Sequence, residues 1–235
     1  MQERDEHIVK HIGLYRVSIR GVIEELFFDG KSCEHVMDRL RVEGRIQVVK
    51  GLPDKLVYYQ LTRPELRSRG LPKHRADPRG ERLHEDLAVL WFACMGATPR
   101  PRLERKPLGK VFGRVPGIEK PHCREKLSNT EHVIHRVRLA GPETDDGRLL
   151  RDMEWWVKSG LSHPQLAPYL LERLLGFTIL VEHPERVAKL KELLTKRECL
   201  AAVLIHIDEV PGPLNLAATL RRRKIQREKT CHESV

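Results

Sequence analysis

Aromatic residues are scarce. Five Phe, three Trp and four Tyr make up 5% of the 235 residues, too few for a protein that holds nucleic acid mainly by stacking bases on rings. Cysteine is as sparse, at Cys33, Cys94, Cys123, Cys199 and Cys231, with no Cys-x-x-Cys pair. Scattered thiols argue against a disulfide framework and for a reduced, cytoplasmic protein. Histidine is plentiful, but Pro121-His122-Cys123 and Cys231-His232 set their ligands side by side, the wrong spacing for a structural zinc site; no metal and no cofactor are expected. No apolar run approaches the length of a membrane span, and Met1–Lys10 is charged, unlike a signal peptide. No membrane partner is therefore expected. The chain also lacks a glycine loop ending in Lys-Ser/Thr and a Gly-x-Ser-x-Gly elbow, so no small-molecule substrate is evident.

Positive charge is abundant. Lys plus Arg number 43 against 33 Asp plus Glu, a net +10 with His neutral. A basic excess of this size points to a polyanionic partner and says nothing about fold. It is uneven: residues 1–70 carry net +2, 71–140 net +7, 141–217 net −3 and 218–235 net +4.

Residues 1–64 have the grammar of a small helical domain with a hairpin. Ile8, Val9 and Ile12 predict an opening helix. Ser18 is placed to cap a second helix to about Phe28, with Val22, Ile23, Leu26 and Phe27 inward. Asp29-Gly30 breaks it, and Ser32 is placed to cap a third. There Cys33, Val36, Met37 and Leu40 share one face, and Gly44 ends the helix. Arg45–Lys50 and Leu56–Leu61 are β-rich runs about the turn sequence Gly51–Lys55. Three helices and a hairpin predict a winged helix-turn-helix.

Residues 65–82 read as a linker rich in proline and charge. Residues 83–212 read as an α/β domain, with a helix over Leu83–Met95 and short strands hidden near Arg102–Arg105 and Lys110–Val115. A strand follows at Glu131–Leu139, and helices at Leu149–Lys158 and Pro168–Leu175. The strand Phe177–Val181, helix Glu185–Leu194 and strand Ala201–Ile207 suggest a parallel βαβ unit. Residues 213–235 read as a mobile basic tail. The fold expected is α+β.

The outer face of the third helix presents Lys31, His35, Asp38, Arg39 and Val42, and Ser32 and Arg41 are further candidates for DNA contact. Arg39 is the candidate for a guanine contact, Asp38 for cytosine, and Lys31 and Arg41 for phosphates. In the wing, Lys50 and Lys55 are phosphate or minor-groove candidates. Arg221, Arg222, Arg223 and Lys224 add non-specific attraction, as does a strip of Arg100, Arg102, Arg105, Lys106, Lys110 and Arg114. Against this, Glu34 and Asp38 would repel phosphates, and winged helices also dock proteins.

Three stretches carry a resemblance: Met37–Gly44 (Met-Asp-Arg-Leu-Arg-Val-Glu-Gly), Val57–Thr62 (Val-Tyr-Tyr-Gln-Leu-Thr) and Leu83–Leu90 (Leu-His-Glu-Asp-Leu-Ala-Val-Leu). Residues 5–210 resemble the replication-relaxation family of bacterial plasmid and mobile-element proteins. That resemblance implies a winged helix joined to a domain similar to restriction endonucleases. Such nucleases use a Pro-Asp pair, then a carboxylate, one residue and a Lys, to hold Mg²⁺. In chain order the Pro-Asp position falls at Pro121-His122, and His135 and Arg136 stand where the second carboxylate is expected. The resemblance thus implies a nuclease-like scaffold without its acids. Asp86 with Glu104-Arg105-Lys106, and Asp145, Asp146, Asp152 and Glu154, are the alternative acidic sets.

The expectation is a non-catalytic double-stranded DNA binder, acting as a homodimer in plasmid replication control or transcription regulation. The alternatives are a metal-dependent DNA nuclease and a winged-helix protein-interaction module.

Overall fold

The computed structural model describes residues 3–72, 78–112, 120–128 and 131–233. The protein is mixed α+β with two separate sheets. The chain forms two compact units, residues 1–91 with 211–235, and residues 92–210.

The first unit begins with α1 (Glu3–Tyr15), whose Ile8, Val9 and Ile12 are fully buried. A two-residue strand β1 (Ser18–Ile19) precedes α2 (Arg20–Phe28). Ser18 does not cap α2; its hydroxyl meets His11 Nε2 at 3.2 Å, and Ile19 takes the cap position. Leu26, expected inward, is 42% exposed, because the buried side of α2 runs through Val22 and Ile23. Asp29 ends the helix in the left-handed region. Then follow α3 (Glu34–Val42), β2 (Ile46–Lys50), a single 3₁₀ turn at Pro53–Lys55, and β3 (Val57–Leu61). The sheet order is β1-β3-β2, antiparallel throughout, with Ser18 opposite Tyr59 and Val48 also opposite Tyr59. Cys33 at the cap of α3 and Met37 and Leu40 within it join Ile8, Ile12, Ile23, Ile46 and Leu61 in one core.

Thr62 caps α4 (Arg63–Ser68), accepting from the Glu65 N–H, and its own hydroxyl donates to the Gly44 carbonyl at 2.6 Å. Gly44, at φ +70, supplies the left-handed turn that starts this link. Glu6, Arg45, Glu65 and Arg69 form one ion cluster with contacts of 2.6–3.2 Å. The segment read as a linker is therefore helical at its start, and residues 73–77 lie outside the described part. Next comes α5 (Glu81–Cys94), buried from Asp86 to Ala93.

The expected tail is instead a helix, α11 (Leu216–Glu233), and belongs to the first unit. Its sequence looks solvated because it buries little. Leu220 packs where Gly21 has no side chain, and Arg227 pairs with Glu25 at 2.5 Å and lies over Gly30.

The second unit holds α6 (Arg105–Phe112), β4 (His122–Lys126), β5 (His132–Leu139), α7 (Asp146–Leu161), α8 (Ala167–Leu171), β6 (Leu175–Val181), α9 (Pro184–Thr195), α10 (Glu198–Ala201) and β7 (Leu204–Glu209). The sheet order is β4-β5-β6-β7. β4 is antiparallel to β5, and β5, β6 and β7 are parallel. The expected parallel βαβ arrangement is present. The strand expected near Lys110 is helix α6, with residues 113–115 outside the described part; near Arg102 there is only an isolated bridge to Cys123. Ala201 lies in α10, so the last strand starts three residues later than expected. Phe177, Ile179 and Val181 pack with Leu149, Met153 and Trp156 of α7. Trp156 is buried and Trp155 is 61% exposed, as their adjacency on one helix requires.

Candidate nucleic-acid interface

The buried stripe of α3 fixes what its other side offers. Lys31, Ser32, Glu34, His35, Asp38, Arg41 and Val42 are exposed, Val42 by 83%. Ser32, expected to cap α3, does not: Cys33 takes the cap position with no side-chain bond, and the Ser32 hydroxyl only accepts from the Glu34 N–H at 3.4 Å. Asp38 and Arg41 pair with each other at 3.2 Å, and Glu34 meets Arg20 of α2 at 3.2 Å.

Arg39, the expected guanine reader, is occupied. Its guanidinium reaches both oxygens of Asp5 on α1, at 2.6 and 2.8 Å, and the Asp5 side chain is only 3% exposed. A buried carboxylate without a cation is costly, so this pair holds α1 to α3 rather than waiting for a base. Periodicity puts Arg39 at the edge of the outer face, and no local pattern discloses a partner 34 residues away.

In the hairpin, Lys50 and Lys55 are exposed. Asp54 between them lies 3.4 Å from Arg221 of α11, so the basic helix and the turn belong to one surface. Arg223 stands over the Trp91 ring, 5.7 Å from its centre, while Arg222 and Lys224 are exposed.

Two buried groups tune the chemistry of this unit. Burial holds His11 neutral, with its pKa lowered to about 4. Burial first, with Glu24 adding to it, pushes the Cys33 thiol up to about 11, so it is a core residue and not a nucleophile.

The candidate nuclease positions of the second unit carry no carboxylate. The buried His122 ring sits 2.8 Å from the Lys120 carbonyl through Nδ1, and faces Arg136 across the β4–β5 ladder. Arg136 lies over the Trp156 ring at 4.5 Å. His135 bridges the sheet: Nε2 is 3.0 Å from Glu125 Oε2 and Nδ1 is 3.0 Å from Thr178 Oγ1. This Thr-His-Glu chain has the order of a nucleophilic triad, but Thr178 is 0% exposed, so no substrate reaches its hydroxyl. Burial lowers the His135 pKa to about 4 against the opposing pull of Glu125. Arg100, expected in a basic strip, instead contacts Glu125 at 2.8 Å and Asp208 at 3.4 Å. Arg114 lies outside the described residues.

Most carboxylates of the alternative acidic sets are also engaged. Asp86 is 3.4 Å from Arg16. Asp146 meets Arg186 at 2.6 Å and Lys189 at 2.9 Å, which hold its carboxyl below the usual range despite burial. Asp145 caps α7 through the Arg148 N–H at 2.6 Å. Asp152 pairs with Arg138 and Glu154 with Arg197, each at 3.1 Å. Glu104 is exposed. Among the described residues no three His, Cys, Asp or Glu side chains are grouped to hold a metal ion, and no helix is long and apolar enough to cross a membrane. A scan against protein-family models, a search of curated proteins and a search of solved structures each find no match for this chain.

Proposed function

We propose that the protein binds double-stranded DNA through its first unit, as a winged helix-turn-helix with α3 as recognition helix and the β2–β3 hairpin as wing. The order helix, strand, helix, helix, strand, turn, strand supports this reading, as does the sheet order β1-β3-β2. One observation carries it. Lys31 beside α3, Lys50 and Lys55 in the hairpin, and Arg222 and Lys224 on α11 are all exposed within one compact unit, and none has an ion-pair partner among the described residues. His35 and Asp38 remain the base-edge candidates, and Arg39 is withdrawn from that role. In this reading the second unit is a non-catalytic scaffold, and the resemblance to replication-relaxation proteins suggests a role in plasmid or mobile-element replication control.

The test is duplex affinity against salt. Those five cations predict a slope of log K against log[salt] of about −4.5. Arg222→Ala with Lys224→Ala should reduce its magnitude by about 2 on every sequence. Absence of duplex binding at low salt, or binding indifferent to salt, overturns the proposal. The exposed Val42 beside Glu34 and Asp38 favours a second reading, a protein-docking face, which predicts no duplex binding at all.

A further inference from the structure

The two edges of the second unit's sheet differ. On the far side of β4, the chain at Pro101–Leu103 closes the edge: Leu103 N–H donates to the His122 carbonyl at 2.7 Å and Arg124 N–H to the Pro101 carbonyl at 3.0 Å. β7 has no such cover; among the described residues no strand lies beyond it. It runs Leu-Ile-His-Ile-Asp-Glu, with no Lys, Pro or bulge to blunt the edge and with its charges confined to Asp208 and Glu209 at the end.

The phase of its backbone is known. Val210 N–H donates to the Val181 carbonyl at 2.8 Å. In a parallel ladder, alternate residues turn both polar groups to the same neighbour. Leu204, His206 and Asp208 therefore bond to β6, while Ile205, Ile207 and Glu209 turn N–H and C=O outward. No backbone partner meets those three on that side among the described residues.

We propose that β7 pairs antiparallel with β7 of a second copy of this chain, making one eight-stranded sheet across a two-fold axis at Ile207. Parity and charge choose this register. The outward residues must face one another, so the axis passes through a residue and not between two. An axis at Asp208 sets Asp208 against Asp208, and one at His206 sets His206 against His206 and Leu204 against Asp208. An axis at Ile207 sets Ile207 against Ile207, flanked by Ile205 against Glu209 twice, on one face and His206 against Asp208 twice on the other. The His206–Asp208 pairs fall at non-hydrogen-bonded positions, where opposite side chains stand closest. His206 is exposed and the Asp208 side chain is 38% exposed beside Arg100, so both are available.

The experiment is analytical ultracentrifugation of the full chain without DNA, so its outcome is independent of the proposed DNA binding. The wild-type chain should show a concentration-dependent monomer–dimer equilibrium. Ile207→Pro removes an outward N–H at a position where an edge strand accepts proline, and trims a side chain that packs partly against the core. It should be monomeric with unchanged circular dichroism. His206→Glu sets like charges against Asp208 and should raise the dimer dissociation constant at least tenfold. Asp208→Lys should do the same alone, and an equimolar mixture of the two variants should dimerise again. That mixture decides the matter should Ile207→Pro fail to fold. A wild-type chain monomeric at every concentration, or a mixture no more dimeric than its components, overturns the proposal.

Discussion

Among the described residues, His11 of the first unit and His135 of the second are kept neutral by folding, which makes stability depend on pH in a defined window. His11 and His135 have folded pKa values of about 4, lowered mainly by burial from an ordinary 6.5. Between those values the unfolded chain binds protons that the folded chain refuses, so stability rises with pH there. The contribution is intact above pH 6.5 and is lost progressively as pH falls towards 4. At 1.36 kcal/mol per unit, the full drop is about 3 kcal/mol for each histidine, and about 2 kcal/mol at pH 5. A domain is typically stable by only 5–15 kcal/mol. The lowered carboxyls Glu6, Glu125 and Asp146 act in the same direction, losing their contribution as pH falls through their ordinary values of 4.5 and 3.8, so they add to the loss only at the acid end of this window. Urea denaturation followed by circular dichroism at pH 7.5, 6, 5 and 4.5 reads the slope directly. His11→Gln and His135→Gln should each cost stability at pH 7.5 yet flatten the loss between pH 6.5 and 4.5. If the double variant loses stability with the wild-type slope, or if either imidazole titrates near 6.5 by NMR, the reasoning fails.

Other substitutions test single contacts. Arg39→Ala leaves the buried Asp5 carboxylate unpaired and should cost about 3 kcal/mol in urea unfolding, with duplex sequence preference unchanged. Arg186→Ala removes bonds to the Ala140, Gly141 and Thr144 carbonyls and to Asp146, and should lower the melting temperature of the second unit by several degrees, a loss of about 2–4 kcal/mol. A Cβ at Gly176 would lie 2.5 Å from the Leu204 carbonyl oxygen; Gly176→Ala should cost about 1–3 kcal/mol and show as a lower denaturation midpoint.

Local rules made much of the fold legible. The three-and-four spacing of Cys33, Met37 and Leu40 located α3 and its core side, and the switch to a period of two located β2 and β3. Phe177–Val181 was visible because a strand buried on both faces reads as an unbroken apolar run. Three things were not visible. β4 reads His-Cys-Arg-Glu-Lys, a strand by pairing and not by composition. α11 has too little apolar surface to mark it as packed, and its partners Gly21 and Glu25 lie almost the whole chain away. The partner of Arg39 is likewise long-range, so a cation assigned to a surface by its helix face turned out to be tied inward.

Many arginines are committed within their own unit: Arg16 to Asp86, Arg39 to Asp5, Arg45 and Arg69 to Glu6 and Glu65, Arg100 to Glu125, Arg186 to Asp146 and Arg197 to Glu154. A bidentate guanidinium suits a buried carboxylate better than an ammonium does, so folding uses up arginine first. Lysines such as Lys31, Lys50 and Lys55 stay in solvent. Under the proposed function the first unit meets DNA through Lys31, Lys50, Lys55, Arg222 and Lys224, mostly ammonium point charges, which attract a phosphate backbone but read no base edge. On the proposed reading, affinity comes from these lysines and α11. Sequence preference has to come from His35, Asp38 and the Val42 methyls, a set that can distinguish cytosine or a thymine methyl but has no unpaired arginine for guanine.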